Sequence, residues 1–591
     1  MAPPTTIISL VDLLEKSAEK YGPRELFGSK TGDQWVYTTY GQFKKLVDDM
    51  RGGLASLGIS RGDKVAIISN NRIEWAVAAH ATYSLGGAYV PMYESQLEKD
   101  WEYIVRDSEA KVLFAANQLI YDKTKALPGK VPTLRHVVLI SGEGTDLTYK
   151  SLLQKGAEKP VAAVHPDSKD VAGLLYTSGT TGNPKGVVLS HGNIVSNLLA
   201  VEANLPISTG DRSLSFLPWA HSFGHTAELQ LLISIGASLA ICDSNDKILP
   251  YLAEVKPTVL FAVPRIFNRI YSGVEKQMQS KPAPIQALFR GGLRAAQKKR
   301  QNQPLSLREK ITLILADKLV FSKVRARFGG RLRHAISGAA ALAREVAEFV
   351  DGLGITVYEG YGLTETSPIV SSNFPGHRKL GSVGQPIQGV RVVIDKSVTQ
   401  DPKNGEILVY GPNVMQGYYK HKAETDAVFT PDGGFRTGDM GYLDEDNYLF
   451  ITGRIKEQYK LENGKYVVPA PLEEALKLSP FVSNVMIYGD NKPFNVAVVV
   501  PNLENLKEWA AAQGLAGKST DDLLRNDKVR TKIKEELDKV SADFKGYERI
   551  RNFVLVAEDF SQENDMLTPK LSVKRRNVMS KWGSQIEQLY Q

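Results

Sequence analysis

Tyr176-Thr177-Ser178-Gly179-Thr180-Thr181-Gly182-Asn183-Pro184-Lys185-Gly186 is the stretch on which the reading of this chain turns. It follows an apolar run, Val171 to Leu175, and precedes another, Val187-Val188-Leu189, so two strands joined by a glycine-rich loop are expected. Gly179, Gly182 and Gly186 let the backbone bend and turn its N–H groups toward an anion. The hydroxyls of Thr177, Ser178, Thr180 and Thr181 add donors, and Lys185 adds positive charge. That set suits a polyphosphate. It is not the common NTPase loop, because Pro184 rather than Gly precedes Lys185 and no Ser or Thr follows it.

On the N-terminal side of this loop, apolar strand patterns alternate with helical ones. Lys64 to Ile68, Lys111 to Ala115 and His136 to Ile140 read as buried strands, Val11 to Tyr21 and Trp75 to Leu85 as helices. Such alternation implies parallel sheets covered on both faces. From Gly381 to about Tyr448, short alternating strands separated by Gly and Asp turns suggest a small antiparallel subdomain. A shorter α+β region follows, with a boundary placed near Lys456.

At 591 residues, with 42% hydrophobic and 23% charged residues, the chain has ample apolar area for several cores, which excludes a disordered polymer. The single cysteine, Cys242, excludes a disulfide framework and cysteine-rich metal sites. No apolar run reaches the roughly 18 residues of a membrane span. No signal peptide is read at the N-terminus, so an intracellular, cytoplasmic enzyme is expected.

Charge is unevenly spread. Residues 265–333 carry 17 Lys and Arg against 3 Asp and Glu, whereas the whole chain is only +8, so the remainder is at −6. Ile285, Leu288, Phe289 and Leu293, then Ile311, Leu315, Leu319 and Phe321, recur at helical spacing within this segment, and Ser306 to Glu309 reads as a capping box. Two readings stand: a basic amphipathic surface for an anionic membrane or a polyanionic substrate, or two helices packed on the core with solvated basic faces. No recognition motif accompanies the charge, so nucleic acid is not an expected partner.

The phosphate loop resembles the signature of the adenylate-forming (ANL) superfamily, which includes acyl-CoA synthetases, firefly luciferase and the adenylation domains of peptide synthetases. Further segments match in order over nearly the whole chain. Tyr358-Glu359-Gly360-Tyr361-Gly362-Leu363-Thr364-Glu365-Thr366 resembles the second signature. By that resemblance Tyr361 lies against adenine, Thr364 contacts the α-phosphate, and Glu365, with Thr177, holds Mg2+. Ser337-Gly338-Ala339-Ala340 resembles the adenine-facing loop. Asp439, in Thr437-Gly438-Asp439, and Arg454 match ribose contacts, and Lys456 matches the hinge about which the C-terminal domain rotates. His221 resembles a histidine bordering the acyl pocket.

The resemblance implies an α/β fold: a large N-terminal domain, 1–455, of two parallel-type sheets layered with helices plus a small β-barrel-like subdomain (about 381–450), then a small mobile α+β domain, 456–591. It also implies ATP, Mg2+ and CoA as reaction partners of a carboxylic acid. Asn463 to Glu473, Leu567-Thr568-Pro569 and the long basic segment resemble long-chain fatty acid–CoA ligases. An acyl-AMP ligase serving a carrier protein, and an impaired acyl- or nucleotide-binding relative, are the alternatives. The C-terminus departs from the family pattern: Ser572 occupies the position of the adenylation lysine, with Lys570 and Lys574 two residues to either side as candidates. Strand neighbours two apart share a face, so either could serve.

Overall fold

The computed structural model describes residues 7–177, 183–399, 401–568 and 572–591. Its N-terminal part is built on two extended layers. The first is a seven-stranded sheet in the order Gly417–Tyr418, Lys185–Ser190, Val171–Thr177, Ala88–Met92, Lys64–Ile68, Val112–Asn117, His136–Ser141. Its last five strands run parallel, whereas Val171–Thr177 and Lys185–Ser190 form an antiparallel hairpin in which Thr177 faces Lys185. The strands 65–68 are fully buried apolar residues, as helices on both faces require.

The second layer joins two sheets. One orders Gln34–Thr39, Glu25–Thr31, Ser238–Ile241 and Arg212–Ser215; the other orders Val259–Ala262, His334–Ser337, Thr356–Gly362, Ile369–Ser372 and Gln385–Pro386. The Thr258 N–H donates to the Arg212 carbonyl (2.9 Å), so the two run on as one sheet-like layer. The β subdomain is a four-stranded antiparallel sheet of Arg391–Asp395, Gly405–Tyr410, Phe435–Leu443 and Leu449–Arg454. The C-terminal region packs the helices Pro469–Leu476, Asp527–Val540 and Arg575–Gln588 around a three-stranded sheet, Val482–Tyr488, Asn495–Pro501 and Ile550–Leu555.

The run from Leu229 to Cys242 is a buried helix and strand. Cys242 is buried, and that burial pushes its thiol up to about 11, which disfavours the thiolate.

The basic segment departs from a simple packed pair. Ala283–Arg300 and Leu307–Ala316 are helices, and Ser306 and Glu309 form the expected capping box. Phe289 and Phe321 enter the core, but Ile311, Leu315 and Leu319 do not. Arg300 is not a purely solvated charge: with Arg378 it binds the buried Asp351. Among the described residues, no helix is long and apolar enough to cross a membrane.

Candidate active site

The candidate residues converge where the edges of both layers meet the β subdomain. Strand pairing does the first part of the positioning. The hairpin holds Thr177 and Lys185 opposite each other at its tip. Ser337 pairs with Glu359 across parallel strands, which sets the loop Gly338-Ala339-Ala340 beside Gly360. Ala339 has φ +67°, a left-handed conformation costly for a residue with a Cβ. A Cβ on Gly338 would lie 3.4 Å from the Phe223 ring, so the adenine-facing loop abuts the segment that carries His221. At Gly362 a Cβ would fall 1.9 Å from the Pro368 carbonyl, so this turn accepts only glycine.

Polar contacts complete the site. The Tyr361 hydroxyl donates to Asp439 (2.7 Å), and Arg454 Nε lies 3.0 Å from the other carboxylate oxygen. Asp439 faces Arg454 directly across antiparallel strands, which makes the pairing a product of register. Asp439 is only 4% exposed, and burial raises its carboxyl above the ordinary range against the opposing pulls of Arg454 and Tyr361. Arg454 keeps its side chain open to water.

On the other side, Glu365 accepts from the Tyr418 hydroxyl (3.0 Å), and Lys185 Nζ stands 5.4 Å from the centre of the same ring. Lys185 also lies 3.8 Å from Glu424. Buried Thr364 shares a hydrogen bond with Ser222 (3.3 Å). His221 Nδ1 accepts from the Phe223 N–H (3.2 Å), a contact that orients the ring. Glu359 is buried, and desolvation lifts its carboxyl to about 7 despite nearby Arg378.

Tyr418 and Ser222 were not singled out by sequence reasoning. Tyr418 stands in no recognisable motif and Ser222 only follows His221 in its segment; their contacts join residues 53 and 142 apart. Ser178 to Gly182, and Lys570, lie outside the described residues. Lys574 is not brought to the cleft: its ammonium pairs with Asp565 inside the C-terminal region, and its N–H donates to Met566 (2.8 Å). Lys456 is exposed in the turn Ile455–Glu457, directly after the strand that ends at Arg454.

Among the described residues there is no cluster of three or more His, Cys, Asp or Glu able to hold a metal. The cleft offers one carboxylate, Glu365, the kind of donor that shares a hard cation with phosphate oxygens. Mg2+ is commonly held in that way.

The facing Thr177 and Lys185, the buried Asp439 bound to Arg454 and Tyr361, and the path from Lys185 through Tyr418 to Glu365 together make a polar cleft suited to a nucleotide. Residues 14–419 match the family model of the AMP-binding enzymes, and residues 456–591 match that of the AMP-binding enzyme C-terminal domain. The chain belongs to the AMP-binding enzyme family. It is 36% identical to a long-chain fatty acid–CoA ligase of Mycobacterium bovis, covering 91% of this chain and 90% of the relative. It is 32% identical to a peroxisomal long-chain acyl-CoA synthetase of Arabidopsis thaliana, covering 99% and 86%. The fold is similar to that of the adenylation domain of a carboxylate reductase from Mycobacterium chelonae, with a TM-score of 0.81 at 22% identity, over 100% of this chain and 92% of that one.

Proposed function

We propose that this protein is an ATP-dependent long-chain fatty acid–CoA ligase. The fatty acid carboxylate attacks the α-phosphorus of ATP, giving acyl-AMP and pyrophosphate. The CoA thiol then attacks the acyl carbonyl and displaces AMP. The observation that carries the nucleotide half is the contact path from Lys185 through Tyr418 to Glu365, which stands in the same turn as Thr364 and four residues from Tyr361 and its Asp439–Arg454 pair. The long-chain substrate is supported by the relatives' names and by the motifs they share.

Asp439 accepts from the ribose hydroxyls while Arg454 and Tyr361 fix its carboxylate. Gly338, Ala339, Ala340 and Tyr361 bound the adenine, and Thr364 donates to the α-phosphate. Lys185 and the loop from Thr177 to Gly182 bind the outer phosphates. Glu365 and Thr177 would hold Mg2+ there, where the cation supplies charge neutralisation as pyrophosphate leaves. His221 borders the acyl group.

Domain 456–591 rotates about Lys456 between the two half-reactions. In the adenylation half it delivers Lys570, because Asp565 engages Lys574 and residue 572 is serine. An ammonium of this kind is worth roughly 100- to 1,000-fold in rate. The basic segment 265–333 holds the enzyme peripherally at the cytoplasmic face of an anionic membrane, the source of its fatty acid.

Mass spectrometry of products from ATP, Mg2+ and palmitate, with and without CoA, tests the reading. Palmitoyl-CoA forming only with CoA is expected. Acyl-AMP accumulating despite CoA would sink the ligase in favour of a carrier-loading enzyme. Lys570→Ala is expected to slow acyl-AMP formation by about 100-fold or more, and Lys574→Ala by far less. The reverse order would move the role to Lys574.

A further inference from the structure

The helix Leu307–Ala316 is packed inside out. Its core-facing side consists of half-buried Thr312 and Leu313 and buried Ala316, set close against the neighbouring helix: a Cβ on Gly292 would fall 2.3 Å from that of Ala316, and one on Gly291 would fall 3.1 Å from Thr312. Its outward side carries Leu307 (74% exposed), Ile311, Ile314 (66% exposed) and Leu315, with Leu319 just beyond. At 100° per residue these fall on one stripe. Arg308 and Lys310 border the stripe on opposite edges, and exposed Lys318 continues it. Exposed Arg290, Arg294 and Lys299 stand on the partner helix, Ala283–Arg300.

Large apolar residues facing water over three turns have no structural use within the chain. An apolar ridge edged by cations is the pattern of a helix lying in a bilayer interface, apolar side in the acyl region and basic side chains among the headgroups. We propose that the helix Leu307–Ala316 inserts its apolar stripe into an anionic phospholipid surface, with Arg308, Lys310 and Lys318 at headgroup level. This rests on the reading that the basic segment meets a membrane, and it names the element that enters it. A second copy of the chain is the less suitable occupant. A two-fold contact on this stripe would bring the same cations from both copies together, and the acids nearest it, Glu309 and Asp317, are already paired with Lys298 and Arg325.

The test is sedimentation of the full-length protein with phosphatidylcholine vesicles, with and without phosphatidylglycerol. Wild type is expected to bind the anionic vesicles. Ile311→Ser, Ile314→Ser and Leu315→Ser combined are expected to weaken binding by at least about tenfold, with turnover of a short water-soluble fatty acid unchanged. Leu307→Trp is expected to show a blue-shifted emission on anionic vesicles only. Failure of wild type to bind overturns both the membrane reading and the insertion. If the serine variant binds like wild type while Arg290→Glu, Arg294→Glu and Lys299→Glu combined does not, the membrane reading stands and the insertion is overturned. A wild-type dimer that the serine variant turns into a monomer assigns the stripe to self-association and overturns the proposal.

Discussion

Around Tyr361, a carboxylate with 4% exposure sits among tyrosine, arginine and backbone, while on the helix Leu307–Ala316 a leucine stands 74% exposed beside isoleucines and lysines. The two regions depart in opposite directions from the tendency of apolar groups to lie inside. In the cleft, a buried acid is tolerated because each oxygen has a partner: Tyr361 on one and Arg454 on the other. Burial strengthens every such contact and holds the proposed ribose acceptor still. On the helix, nothing compensates the exposed side chains except a medium other than water. A polar group inside and an apolar group outside each mark a surface shaped for something besides the fold.

The strongest way to break the comparison is at the acid. Asp439→Ala takes the carboxylate from the Tyr361 hydroxyl and removes the proposed ribose acceptor. A loss of about 10- to 100-fold in kcat/KM for ATP is expected. Stability should fall by only about 2 kcal/mol, because Arg454 retains water. Steady-state kinetics and urea unfolding check both; unchanged ATP kinetics would remove Asp439 from the site.

A second buried acid sharpens the point. Glu228 is fully buried, with the Ser213 and Ser215 hydroxyls donating to it (2.7 Å each), and desolvation lifts its carboxyl to about 8. Its folded value exceeds its ordinary value of 4.5, so between those two the folded protein holds a proton that the unfolded chain has released. The stability it contributes is present at low pH and is lost as pH rises toward 8. Glu228→Gln should flatten the fall in stability between pH 6 and pH 8 by about 2 kcal/mol, read as Tm in wild type and variant. The remaining slope includes Glu359, whose carboxyl is raised to about 7. Parallel slopes in the two proteins would show that Glu228 is ionised in the core.

The smallest effect is expected on the helix. Ile311→Ser and Ile314→Ser should each change unfolding free energy by no more than about 0.5 kcal/mol, because each residue keeps half or more of its surface in water. A cost of about 2 kcal/mol or more would mean that the stripe is covered within the protein.

Much of the site was legible because its parts are local. The phosphate loop, the run from Tyr358 to Thr366, and Thr437-Gly438-Asp439 each hold their chemistry within a few residues, and glycine at position 362 is demanded by one backbone contact. What was not legible depends on distant partners. Tyr418 gains its place only because Gly417–Tyr418 adds to the edge of the strand Lys185–Ser190. The hairpin Glu25–Thr31 and Gln34–Thr39 was not anticipated, since the strand that receives it, Ser238–Ile241, lies two hundred residues on. Lys570 and Lys574 looked equivalent by strand alternation; the ion pair of Lys574 with Asp565 follows from the fold of the C-terminal region, and Lys570 lies outside the described residues.

The sequence alone determined which residues are chemically fit for nucleotide activation, because composition and short spacing settle donors, acceptors and turns. It also determined that the basic segment forms helices with an apolar stripe, because periodicity follows from the backbone's own geometry. The tertiary structure decided which acid is buried, that Lys574 pairs with Asp565, and which side of the helix Leu307–Ala316 faces out. Those outcomes depend on what packs against each side chain, and packing partners are brought together by strand order and helix contact across hundreds of residues.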